Sequence, residues 1–75
     1  MNPGQQQFYT FFMERVKDDK KEEAKALLED SFAKQADGTF DRAYLDDVMP
    51  KFYEIAKPEA VEDLKAAMSQ FASRL

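Results

Sequence analysis

Apolar residues recur at the helical period in four blocks along the chain. The first block covers residues 3–17 and holds Phe8, Tyr9, Phe11, Phe12, Met13 and Val16. At roughly 100° per residue these span an arc of about 200°, wider than the stripe of about 100° typical of a surface helix. The second block, residues 19–36, places Ala24, Leu27, Leu28 and Phe32 on one face and lysines and acids on the other. The third, residues 42–56, builds a core face from Tyr44, Leu45, Val48, Phe52 and Ile55, with Met49 and Tyr53 to one side. The fourth, residues 58–74, carries Val61, Leu64, Met68, Phe71 and Leu75 at spacings of 3, 4, 3 and 4, a narrow seam. This pattern predicts an all-α fold over residues 1–75: one small four-helix domain made of two αα-hairpins.

Turn and cap residues fall between the blocks. Asn2 and Pro3 suit the N-cap and first turn of the first helix. Asp19, with Glu22 three residues on, has the spacing of a capping box for the second. No Gly or Pro separates these two helices, so Asp18 and Asp19 must make the turn or one long bent helix persists. Gly38 can take the left-handed conformation that ends a helix, and Asp41 can cap the third, with Phe40 and Leu45 placed as a hydrophobic staple. Pro50 removes an amide donor inside the third helix and predicts a kink or break there. Pro58 suits the start of the fourth. A faint repeat matches Phe8-Tyr9 and Lys25–Leu28 to Phe52-Tyr53 and Lys65–Met68, at the cost of an insertion.

Charge narrows the candidate partners. Fifteen acidic and 11 basic residues leave a net charge of −4, which argues against a nucleic-acid face. Lys17, Lys20, Lys21 and Lys25 are interleaved with acids, as on a solvated helix junction. No apolar run approaches the ~18 residues of a membrane span, and MNPGQQQ lacks the basic start of a signal peptide. A soluble, cytoplasmic protein is expected. With no Cys and no His there is no thiolate metal site, no thiol nucleophile and no base titrating near neutrality. Adjacent acids such as Asp46-Asp47 point about 100° apart on a helix and do not converge on one metal. No enzyme activity, metal or cofactor is expected.

Two short stretches carry family resemblances. Asp37-Gly38-Thr39-Phe40-Asp41 resembles the centre of an EF-hand loop, which would imply calcium binding. The ligand positions at either end would fall on Ala33, Gln35 and Tyr44, so the match covers five residues. Asp30-Ser31-Phe32 resembles the tripeptide of acyl carrier proteins, whose serine bears a phosphopantetheine arm. In that family the serine opens a helix after a long loop; Ser31 falls late in a helical run.

Seven Phe, three Tyr and four Met are many for one small core. The leading expectation is a non-enzymatic protein-interaction module or homodimer, with Tyr9, Phe11, Phe12, Met13 and Tyr53 as its interface. The alternative is a carrier or ion-binding protein using Ser31 or the Asp37–Asp41 loop.

Overall fold

The computed structural model describes residues 2–73 and contains four α-helices: α1 (Pro3–Met13), α2 (Lys21–Asp37), α3 (Arg42–Ile55) and α4 (Val61–Ser73). The all-α four-helix architecture follows the hydrophobic pattern. The expected seam residue Leu75 and the expected helix end at 74 lie outside the described residues.

Local chemistry sets most of the helix ends. The Asn2 side chain accepts from the Gln5 amide at 2.8 Å, and the Gln5 side chain accepts from the Asn2 amide at 3.2 Å, a complete capping box. Gly38, at φ 80°, ends α2. The Gly38, Thr39 and Phe40 amides all turn back onto the Lys34 carbonyl. The Asp41 carboxylate accepts from the Tyr44 amide at 2.9 Å and opens α3. Phe40 lies against Tyr44, with ring centroids 5.1 Å apart.

The first junction differs from expectation. α1 stops at Met13 rather than near Lys17, because residues 15–17 are drawn into an antiparallel bridge between Val16 and Ala56. The Lys17 amide donates to the Ile55 carbonyl at 3.0 Å, and the Lys57 amide donates to the Arg15 carbonyl at 2.8 Å. Beyond the bridge each linker makes one 3-10 turn, Asp18–Lys20 and Pro58–Ala60, which leads into α2 and α4. Asp19 lies inside the first of these turns and does not cap α2, which begins at Lys21 without a side-chain cap. The first two helices are therefore separate.

α3 runs unbroken through Pro50. Pro50 and Asp46 are both exposed, so the carbonyl deprived of its amide partner is open to water.

The two halves repeat at a register of forty positions. Phe12 and Phe52, Val16 and Ala56, Ala24 and Leu64, and Leu28 and Met68 are buried pairs in this register. Residues 21–30 and 61–70 carry the same succession of buried, half-buried and exposed positions. Glu14, Lys17, Glu22, Lys25 and Ala26 recur as Glu54, Lys57, Glu62, Lys65 and Ala66. The insertion expected from matching the two Phe-Tyr dipeptides is not needed, since Phe52 corresponds to Phe12. The core lies between the repeats, and Phe12, Val16, Leu28, Leu45 and Leu64 are its largest fully buried side chains.

Candidate functional site

A cleft of about 570 Å³ opens between α1, α2, α3 and α4. Six of the seven phenylalanines line it: Phe8, Phe11, Phe32, Phe40, Phe52 and Phe71. Its floor reaches the core at Leu45, Phe52 and Met68, none more than 2% exposed. Its rim is built from the amides of Asn2, Gln5, Gln7, Gln35 and Gln70. No charged side chain is among the described residues that line it. In a chain that is 35% charged, this is a separate chemical environment.

Aromatic packing fixes the cleft wall. The Phe8 ring meets Phe71 at 5.2 Å and Phe52 at 6.2 Å, both edge to face. Phe12 meets Phe52 at 4.8 Å beneath them. Gln5 Nε2 donates to Gln35 Oε1 at 2.6 Å and ties α1 to α2 at the rim.

A second, shallower depression of about 430 Å³ lies along α1, lined by Gln6, Gln7, Thr10, Phe11, Glu14 and Arg15. Gln7 and Phe11 line both concavities. Being four apart, they form one ridge between them. The Arg15 guanidinium sits 3.9 Å over the Phe11 ring and donates from Nη1 to the Phe11 carbonyl at 2.9 Å. Asp63, 3.5 Å from Arg15 Nε, holds it from α4.

The five expected interface residues separate. Phe12 is fully buried and belongs to the core, so it is not available at a surface. Tyr9, Phe11, Met13 and Tyr53 are half-buried and pack on the core, Met13 and Tyr53 at equivalent positions of the repeat. Of the five, Phe11 lines the cleft. Periodicity assigns Phe32 and Phe71 to core faces and capping chemistry assigns Phe40 to a staple; their place in the cleft, with the glutamines, is what the sequence pattern does not show. A different signal marks this region: residues 1–13 contain none of the 26 charged side chains.

The two other sequence candidates are occupied by structural bonds. Ser31 is 4% exposed. It lies 3.0 Å from the Leu27 carbonyl and 3.2 Å from the Tyr44 hydroxyl, which itself donates to Asp30 at 2.7 Å. Two hydroxyl protons serve these three contacts, so Ser31 gives its one proton either to Leu27 or to Tyr44. Burial, with the Asp30 carboxylate adding to it, pushes the Tyr44 hydroxyl above its ordinary range. The Asp37 carboxylate accepts from the Thr39 hydroxyl and amide, which hold its pKa below the ordinary value. Asp41 caps α3. Among the described residues no three acidic side chains gather where they could hold a metal ion. Nor is any helix there long and apolar enough to cross a membrane.

Comparison of the chain with known protein families, with curated proteins and with solved structures finds no match.

Proposed function

We propose that this chain is a non-enzymatic interaction module of the cytoplasm, which receives the apolar side chains of a protein partner in the cleft beside α1. One observation supports it above all: a cleft lined by six phenylalanines and no charge among its described residues. Water against such a surface is costly, at about 25 cal/mol per Å² of apolar area. A protein partner that covers it gains that free energy, and aromatic clusters are where interface energy concentrates. Catalysis has little to draw on there. Ser31 is the lining hydroxyl, and it has no base beside it: Tyr44 holds its own proton and Asp30 already accepts it.

Photo-crosslinking tests the proposal. Phe11→p-benzoylphenylalanine, irradiated in the cells that make the protein, is expected to form a covalent adduct with a protein. Lys25→p-benzoylphenylalanine, on an exposed face of α2, is expected to form none. Absence of an adduct at position 11, or equal adducts at both, counts against it.

A further inference from the structure

We infer that the protein docked on this surface is a second copy of the chain, placed α1 against α1 about a two-fold axis. The inference rests on the reading of the cleft as a docking site.

Charge is the first support. Each chain carries −4, so two copies repel unless the surfaces that meet are neutral. In a two-fold contact, residues near the axis meet their own copies, and a carboxylate there faces a carboxylate. α2, α3 and α4 all carry exposed acids, Glu29, Asp46 and Glu62 among them. α1 carries no charge, its exposed positions include Gln6, Gln7 and Thr10, and the two charges that follow it at the end of the shallower depression, Glu14 and Arg15, are opposite and lie 3.7 Å apart. An amide holds both donor and acceptor, so a glutamine meeting its own copy can be satisfied where a carboxylate cannot.

Shape is the second. The Gln7–Phe11 ridge stands between concavities of about 570 and 430 Å³. A ridge flanked by grooves complements itself when turned over. Ridges formed by residues four apart, set into such grooves, give the commonest crossing of two helices. Phe11 of each copy then meets the uncharged cleft beside the other's ridge, and the exposed part of its half-buried ring leaves water.

A charge swap at Gln7 tests this directly. Gln7 is exposed, so Gln7→Glu and Gln7→Lys leave the helix content by circular dichroism unchanged. Sedimentation from about 10 µM to about 1 mM is expected to show each variant alone associating at least about tenfold more weakly than the native chain. An equimolar mixture of the two is expected to recover a species of twice 8.7 kDa. Variants that associate like the native chain, or a mixture that stays monomeric, overturn the inference. So does a native chain that is monomeric throughout while Phe11→p-benzoylphenylalanine crosslinks to a different protein; the docking site then stands and the second copy falls. A monomeric chain with no adduct at position 11 overturns both.

Discussion

Val16 and Ala56 face each other across an antiparallel bridge, and they are also the same position in the two repeats. The bridge thus lies where the two halves exchange backbone hydrogen bonds, Lys17 to Ile55 and Lys57 to Arg15. Most of the cleft comes from the parts of the helices remote from it: Asn2 to Phe11, Ser31 to Gln35, and Ala67 to Phe71. One end of the bundle is joined by backbone; the other presents aromatic side chains. Phe12 and Phe11 are neighbours in α1 but about 100° apart around it, so Phe12 is buried in the core while Phe11 opens to the cleft.

Replacing each of these two residues is expected to give opposite results. Phe12→Ala removes a fully buried ring packed on Phe52, at about 3–5 kcal/mol. A single core of this size supplies only ~3–5 kcal/mol in total. The variant is expected to show an unfolded far-ultraviolet circular dichroism spectrum. Phe11→Ser is expected to keep the helical spectrum and to lower self-association.

The connection between α2 and α3 offers two independent stability tests. Asp41→Ala deletes the side-chain acceptor of the Tyr44 amide and should cost about 0.5–2 kcal/mol in urea unfolding. Gly38→Ala meets no atom within 4 Å, so its cost is conformational alone. A side chain held at φ 80° should lose about 1–2 kcal/mol.

Tyr44 makes stability sensitive to alkali. Its folded pKa is raised above the unfolded value, chiefly by burial. The folded state then holds the proton more tightly, so this contribution is fully present below the unfolded value of 10.0 and is lost as pH rises through the folded one. Unfolding midpoints should fall with rising pH in that range, and Tyr44→Phe should remove this part of the dependence.

Asp37 acts in acid. The Thr39 hydroxyl and amide lower its folded pKa below 3.8. Its contribution is present above that value and is lost as pH falls through the lower folded pKa. Carboxyl carbon shifts in an NMR titration should place the midpoint below 3.8, and Thr39→Val, which keeps only the amide, should raise it.

Asn2, Gly38 and Asp41 were legible in the sequence because each acts on backbone groups within a few residues of itself. The end of α1 was not. It is set by Val16 pairing with a residue forty positions away, and nothing in MERVKDD announces that pairing. The repeat was visible but misaligned, because the Phe-Tyr dipeptides matched in letters while Phe12 and Phe52 match in burial. The sequence pattern places Phe12 at a surface for a related reason. The broad apolar arc of α1 holds two environments: Phe12 is fully buried, while Phe8, Tyr9, Phe11 and Met13 are half-buried against the core, and of these Phe8 and Phe11 also border the cleft. Periodicity does not distinguish them. The absence of charge from residues 1–13 would have pointed to α1 as the neutral surface.

Light scattering on a sizing column, over a concentration series of the native chain, tests the central claim most directly. Self-association through α1 predicts a mass that rises with concentration toward twice 8.7 kDa. A mass of 8.7 kDa at every concentration, up to about 1 mM, would contradict it.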